Sequence, residues 1–383
     1  MKIFEGKRVH IKSWCNNPEE GAIQQALNLS SLPFIFKHVC LMSDCHEGYG
    51  MPIGGVIATK NIVIPNAVGV DIGCGMLSVE TDIDNLDKDQ IKSIMGKIRG
   101  LVPVGFNHHK TNQEWNGFNN IPLIDVIRQE VDSARKQLGT LGGGNHFIEL
   151  QTDGNHIHFM IHSGSRNFGY KIAKHFNEVA TKLCHRWYSN IPEIKGEDGL
   201  AFLPIDTNEG LTYFTAMSFA LDFAQANRNL MAERVKEAIN SVVSCNFEES
   251  INIHHNYARL ENHFKHNVII HRKGATSAKE NEIGIIPGSQ GSYSYIVHGL
   301  GNPESFYSCS HGAGRKMSRK KARETLEINQ ETEKMGNIVH SIRNKQDLDE
   351  APGAYKDIDI VMEEQQDLVA IKKKLYPLGV IKG

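Results

Sequence analysis

No apolar run in this chain approaches the roughly 20 residues that a membrane-crossing helix needs, so a helical membrane protein is not expected. The N-terminus, Met-Lys-Ile-Phe-Glu-Gly, lacks the charged-then-apolar pattern of a secretory signal. Cysteine is scarce and odd in number. Seven residues at irregular spacings argue against a disulfide framework and for free thiols in a reducing compartment, with the cytoplasm as the expected address. Neither charge sign is in surplus, and a net charge of −2 gives no global signature of a nucleic-acid binder, although a local basic strip suffices for RNA. There is no disordered composition, no linker-like stretch and no internal repeat. The 383 residues are read as a single large domain with ample length to bury a core.

Glycine is plentiful, at 35 residues, and it gathers where reactive side chains do. Five distant segments set His, Asp or Cys among glycines or small polar residues. They are Asp71-Ile-Gly-Cys74, Gly144-Asn145-His146, His162-Ser-Gly-Ser165-Arg166, His255-Asn256 and Ser310-His311-Gly-Ala-Gly314-Arg315. Glycine admits close approach of backbone to a ligand, and Asp, Cys and His are the transition-metal ligands. Such a set points to an enzyme site assembled from many loops.

Strand character is read at Ile53–Thr59, Ile62–Ile64, Met76–Glu80, Ile157–Ile161, Val268–His271 and Ile283–Ile286. Helical spacing is read at Leu123–Leu138, Tyr170–Trp187, Tyr213–Val242, Lys316–Asn329 and Glu333–Arg343. The longest of these has an Ala-rich apolar face suited to packing on the core. Strands and helices interleave without a steady βαβ rhythm, so the expected class is α+β, with mixed β-sheets flanked by helices. The reactive segments mostly fall where strands end.

Asp71 and Cys74, three apart in a glycine-rich turn, can aim a carboxylate and a thiolate at one point. A lone cysteine is ordinarily a buried structural residue; its setting here favours a ligand. His146, His162 and His255 are the candidate imidazoles, although each alone would ordinarily be a hydrogen-bonded structural histidine. Together the five serve two metals sharing the cysteine, a pair suited to phosphoryl chemistry. On ligand chemistry zinc comes first and manganese behind it. His108, His109, His254 and His263 lack this setting and are read as structural or surface residues.

His311 opens a glycine-rich turn that leads towards a helix, an arrangement that offers backbone N–H groups to an anion. The histidine can attack phosphorus, or it can be a sixth metal ligand. Pro287-Gly-Ser-Gln-Gly-Ser-Tyr-Ser294 is a second candidate loop for a phosphate or nucleotide, and equally an ordinary turn. Arg315, Arg319 and Arg323 recur every four residues, with Lys316 and Lys320 beside them. On a helix they form one basic face, either solvated or a track for an RNA backbone.

From Ser43-Asp-Cys-His-Glu-Gly-Tyr-Gly50 to its last residues, the chain resembles the RtcB family of GTP- and manganese-dependent RNA ligases. Val70-Asp-Ile-Gly-Cys-Gly75 and Ser310-His-Gly-Ala-Gly-Arg315 carry the resemblance most specifically, and Ala201-Phe-Leu-Pro-Ile-Asp-Thr-Asn-Glu-Gly210 supports it. The resemblance implies an RtcB-like fold and an enzyme that joins an RNA 3′-phosphate or 2′,3′-cyclic phosphate to a 5′-hydroxyl. It implies two Mn²⁺ held by Asp71, Cys74, His146, His162 and His255, with Cys74 bridging, and guanylylation of His311 by GTP. Asp44 would orient that histidine. Asn145, Glu149, Asn256, Pro287, Gly288, Ser289, Gln290, Ser294, Gly312, Ala313, Gly314 and Lys382 would line the guanylate pocket. Arg166 would lie near the RNA phosphate, and an archease-like helper is a candidate partner; Arg315 and Arg319, from the basic run itself, are the further candidate RNA contacts. Gln290 stands where many members have methionine, and Cys45 where many have an aliphatic residue. The rival enzyme is a binuclear metallohydrolase acting on RNA cyclic or terminal phosphates, and a third reading is an RNA-binding accessory protein with a structural metal.

Overall fold

Thr207 accepts a hydrogen bond from the amide of Gly210 and opens a helix that runs from Asn208 to Asn240 in the computed structural model; residues 1–187 and 199–383 are described. Ala216, Ala220, Ala224 and Ala232 recur on its buried side, and their small side chains let neighbouring elements approach. The helix Lys88–Leu101 forms for equally local reasons. Asp87 and Gln90 make a reciprocal capping box, and Ile91, Ile94, Met95 and Ile98 fall on one buried face.

Two large sheets carry most of the strands, and two short pairs, 62–63 with 203–204 and 275–277 with 308–310, accompany them among the described residues. A six-stranded sheet has the order 2–4, 10–13, 35–46, 53–59, 266–273, 256–263. It is mixed, because His10–Ser13 runs parallel to Ile35–His46 across the helix Glu20–Ser30, while its other pairs are antiparallel. A seven-stranded antiparallel sheet has the order 251–254, 75–80, 157–163, 147–152, 369–382, 294–299, 283–286. Apolar clusters cover both faces of each sheet. One face of the seven-stranded sheet packs Leu77, Ile148 and Ile161 against Ile94 and Met231, and the other packs Met76 and Met160 against Ile285 and Met335. The α+β expectation with mixed sheets therefore matches the architecture.

Several boundaries differ from the sequence expectation. Lys316–Asn329 is not one helix. Ser318 caps a short one, Arg319–Thr325, and another begins at Ile328. Glu333–Arg343 is not a helix of its own: residues 333–335 close the helix Ile328–Met335, which ends at Gly336 with a positive φ of 52°. The strands Ile35–His46 and Val369–Lys382, both central to their sheets, are not evident in the sequence.

The chain passes from one sheet to the other at a single residue. Ile251–His254 belongs to the seven-stranded sheet and Asn256–His263 to the six-stranded one, which leaves His255 at the seam.

Candidate active site

Four adjacent strands end together at that seam. Gly75 pairs with Ser163, Met76 and Phe147 both pair with His162, and His254 lies opposite Gly75. Cys74, His146, His162 and His255 lie at or next to these pairs and so converge. The Sγ of Cys74 is 3.4 Å from Nε2 of His146 and 3.3 Å from Nε2 of His162. The Nε2 atoms of His162 and His255 are 3.3 Å apart, and Oδ2 of Asp71 is 3.1 Å from Nε2 of His146. The donors fall into two groups, Asp71-Cys74-His146 and Cys74-His162-His255, which share the thiol alone.

The turn carrying Asp71 and Cys74 is built for close approach. The amide of Cys74 donates to the carbonyl of Asp71 at 3.1 Å, and that of His255 donates to the carbonyl of Cys74 at 2.8 Å. Asn256 locks the same turn, donating from Nδ2 to the Asp71 carbonyl at 3.1 Å. Gly73 has φ of +73°, and a Cβ there would lie 2.9 Å from that of Ala224, so both conformation and space call for glycine.

These donors suit a divalent cation. Nδ1 of His146 faces the Leu141 carbonyl at 3.0 Å and Nδ1 of His162 faces the Asn145 carbonyl at 3.1 Å. A carbonyl only accepts, so at His162 the proton belongs on Nδ1 and the Nε2 lone pair turns towards the thiol, as metal ligation requires; at His146 the Leu141 carbonyl and Arg166 Nη1 share Nδ1, while Nε2 faces Asp71 and the thiol. Burial holds the His162 and His255 imidazoles well below their ordinary range. Burial alone would raise the Asp71 carboxyl, but the hydrogen bond and charge of His146, with Arg166 behind, outweigh it and hold it at about 2. Burial, reinforced by Asp71, pushes the Cys74 thiol well up, a position that only a bound cation would reverse.

His311 completes the cluster from the end of the short strand Ser308–Ser310, which pairs with Ala275–Ser277. Its ring meets that of His255 edge-on, with centroids 4.7 Å apart. Asp44, fully buried on the strand Ile35–His46, accepts through Oδ2 from the His311 amide at 3.1 Å and from its Nδ1 at 2.6 Å. This leaves the lone pair on Nε2. The turn after His311 presses against Asp44. Gly314 has φ of +72°, and a Cβ there would lie 2.2 Å from the Asp44 carbonyl oxygen. Arg166, half-buried at the start of its helix, places Nη1 3.2 Å from the His146 ring.

The loop after Ile286 lies along the His311 turn, with the Pro287 carbonyl accepting from the amide of Ala313 at 3.0 Å. Gly288, Ser289 and Ser292 fold this loop on itself, and Ser294 Oγ accepts from Gln151 at 3.0 Å. Gln151 also donates to Glu149 at 2.6 Å, and burial lifts the Glu149 carboxyl to about 8. Lys382 reaches the site because the C-terminal strand pairs it with Phe147. Its Nζ donates to the Asn145 carbonyl at 3.4 Å and lies 3.7 Å from Glu350. A cavity of about 300 Å³ between these segments is lined by Gly144, Gln290, Glu350 and Lys382 among others.

The basic run differs from its expectation. Arg315 precedes the helix rather than lying on it, and all three arginines face an acidic pair. Arg315 and Arg319 reach Glu350 at 3.1 and 2.9 Å, and Arg323 reaches Asp349 at 3.4 Å. Asn256 also differs from a free pocket residue, since its Oδ1 accepts from the amide of Gly274 at 2.7 Å while its Nδ2 holds Asp71.

Three residues that shape the site were not singled out in the sequence. Arg228 is fully buried behind the metal turn and donates to the Gly73 and Ser163 carbonyls, both at 2.9 Å. Asn227 binds the amides of Gly139 and Thr140 through Oδ1. Glu350 gathers Arg315, Arg319 and Lys382, whose charges outweigh its burial and lower its carboxyl. An Arg at a core position of an apolar helix face was the available signal, since arginine is seldom fully buried without partners.

So much reactive chemistry at one seam marks an enzyme. Comparison with known proteins makes that specific: the family described as tRNA-splicing ligase RtcB matches residues 25–122 and 117–383. The RNA-splicing ligase RtcB of Escherichia coli K12 is 38% identical over 410 residues, covering 100% of this chain and 99% of that protein. The tRNA-splicing ligase RtcB of Nanoarchaeum equitans is 32% identical, covering 95% and 92%, and that of Methanococcus maripaludis 31%, covering 96% and 92%. The chain belongs to the RtcB family. Among the described residues, no helix is long and apolar enough to cross a membrane.

Proposed function

We propose that this enzyme is an RNA-splicing ligase that seals RNA 3′-phosphate or 2′,3′-cyclic phosphate ends to 5′-hydroxyl ends through a guanylylated His311. The observation that carries the reading is the 2.6 Å contact between Asp44 Oδ2 and His311 Nδ1, beside His255. It turns an ordinary imidazole into one whose Nε2 lone pair is kept free to attack. The metallohydrolase alternative gives such a histidine no task.

His311 Nε2 attacks the α-phosphorus of GTP; the new P–N bond forms as the bond to pyrophosphate breaks. Asp44 steadies the positive charge that develops on the ring. Any cyclic phosphate must first open to a 3′-phosphate. An oxygen of that phosphate then displaces His311 from phosphorus, giving an RNA-ppG end and returning the free imidazole. The 5′-hydroxyl attacks the RNA phosphorus and GMP leaves. A bare 3′-phosphate has no good leaving group, and GMP supplies one.

Asp71, Cys74 and His146 would hold one Mn²⁺, and Cys74, His162 and His255 the other. When bound, such a pair offsets negative charge on phosphoryl oxygens and activates water. Asn145, Glu149, Pro287, Gly288, Ser289, Gln290, Ser294, Gly312, Ala313, Gly314 and Lys382 would surround the guanylate, with Asn256 acting by holding the metal turn. Arg166 would meet the RNA phosphate. Arg315 and Arg319 remain candidate RNA contacts, although Glu350 already neutralises part of their charge. The reaction belongs in the cytoplasm, with an archease-like protein as a candidate helper.

Incubation with Mn²⁺ and α-labelled GTP is the test. Wild-type protein is expected to retain a covalent label that His311→Ala loses. An unlabelled wild type that still hydrolyses cyclic phosphate ends would favour the metallohydrolase.

A further inference from the structure

Cys15 follows the strand His10–Ser13, and Cys45 stands next to Asp44 on the strand Ile35–His46. Both belong to one apolar cluster, and their thiols are in hydrogen-bonding contact. Lys356 ties the two segments together. Its Nζ donates to Sγ of Cys15 at 3.6 Å and to the carbonyl of Cys45 at 2.6 Å. The hydrogen bond from Cys45 and the Lys356 ammonium outweigh burial and hold the Cys15 thiol below its ordinary range. The same bond, reinforced by burial, holds Cys45 well above it. Cys15 is thus the attacking sulfur of the pair and Cys45 the resolving one. Cys15 also borders the surface, being 4% exposed and followed by exposed Asn16, whereas Cys45 is fully buried. A small oxidant meets Cys15 first.

Two contacts carry a change at this pair to His311. The first runs through Asp44. Between the pairs Leu41 with Gly55 and His46 with Ile53 the ladder shifts register, so residues 42–45 bulge and regular pairing does not fix them. A Cβ on Gly54 would lie 2.8 Å from both Oδ1 of Asp44 and Cα of Cys45, so the facing strand presses on the two residues together. A displaced Cys45 therefore moves the carboxylate that holds His311. The second runs through Lys356, whose amide donates to the Gly314 carbonyl at 2.9 Å in the His311 turn. A disulfide sulfur carries no charge for its ammonium to meet.

We propose that Cys15 and Cys45 are a reversible oxidation site: a hydroperoxide joins them in a disulfide that displaces Asp44 and disarms His311. The Cys15 thiolate attacks a peroxide oxygen; the S–O bond forms as the O–O bond breaks, and the first water leaves. The Cys45 sulfur then attacks the resulting sulfenic acid; the S–S bond forms as the S–O bond breaks, and the second water leaves with the Cys45 proton. Two thiols are oxidised and one hydrogen peroxide is reduced to two waters. A disulfide holds its sulfurs far closer than two thiols in contact, which supplies the displacement. In a reducing compartment such a bond is transient, as a switch requires. The disarming of His311 rests on the guanylylation reading above; the disulfide does not.

The test treats the full chain, loaded with Mn²⁺, with hydrogen peroxide. Remaining thiols are then alkylated, peptides are mapped by mass spectrometry, and single-turnover labelling by α-labelled GTP is measured. A Cys15–Cys45 cross-linked peptide is expected, together with labelling slowed by roughly tenfold or more, as for a weakened Asp44 contact. Dithiothreitol should reverse both. Cys15→Ser, with Cys45→Val as the second variant should the first not fold, should label normally and resist the peroxide. Absence of the cross-link overturns the proposal, as does a cross-linked protein that labels at the reduced rate. Equal peroxide sensitivity in a folded variant also overturns it, because another thiol such as Cys74 then carries the effect. Reduced wild type that takes no label overturns the guanylylation reading and the disarming of His311 with it, and the peptide map then decides the disulfide alone.

Discussion

Asp44→Asn tests how His311 is held, and the geometry sets the size of the effect. Oδ2 of Asp44 accepts two hydrogen bonds, from the His311 amide at 3.1 Å and from its Nδ1 at 2.6 Å, whereas Oδ1 is buried without a partner. An asparagine has two ways to sit there. With its NH₂ towards His311 it would point donors at a backbone N–H that cannot accept. With its oxygen towards His311 it preserves both contacts and loses only the charge. The backbone amide therefore selects the second arrangement, and the imidazole keeps its proton on Nδ1. A charge-assisted hydrogen bond contributes about 1.5–3 kcal/mol, against about 0.5–1.5 for a neutral one. If the difference is felt mainly as the ring becomes cationic, adduct formation slows by roughly 10- to 100-fold. It does not reach the ~10⁴-fold known where an Asn inverts a catalytic histidine's tautomer. Rapid-quench labelling with α-labelled GTP, alongside a thermal melt to verify folding, measures this. Wild-type labelling rates in a folded Asp44→Asn protein would refute the positioning role, and a loss near 10⁴-fold would refute the argument from the amide.

Cys74→Ala should reduce bound Mn²⁺, counted by electron paramagnetic resonance, from two ions per chain to at most one, because both donor groups share this sulfur; two retained ions would exclude a bridging thiolate. The Glu149 carboxyl, raised to about 8 by burial, stays protonated in the folded chain after the unfolded chain has released its proton near pH ~4.3. Its contribution to stability thus declines as pH rises from about 4.3 towards about 8. Glu149→Gln should gain on wild type in melting temperature between pH 5 and pH 9, and parallel curves would contradict this. Arg319 and Arg323 already face Glu350 and Asp349, so replacing both with Gln should lower the slope of log K for RNA against log salt by less than ~0.9, the share of one phosphate. A fall near twice that would mean that both bind the RNA backbone directly.

The parts of the site that were legible in the sequence are those whose chemistry is local. Asp71 and Cys74 share one turn, and the glycines that make the turn possible stand beside them in the chain. The same holds for His311 and Gly314. What was not legible depends on partners that spacing does not encode. Lys382 reads as a fraying tail until the strand ending there pairs with Phe147–Thr152 and brings it to Asn145, 237 residues away in sequence. The arginines at 315, 319 and 323 read as a free basic face because the acidic pair that meets them arrives 26 to 35 residues later. Arg228 is the most instructive case. It lies four residues from Ala224 and from Ala232 on the packed side of the Asn208–Asn240 helix, and such spacing cannot say what that side packs against. The answer is the back of the metal turn, where its guanidinium binds two backbone carbonyls and its charge opposes those of Cys74 and Asp71. Burial lowers this arginine only to about 10, so it remains a cation at neutral pH. A buried positive charge behind the thiol offsets part of the rise that burial and Asp71 impose, so less is left for a bound cation to overcome. The helix that seemed to serve the core alone thus helps set the electrostatics of the site.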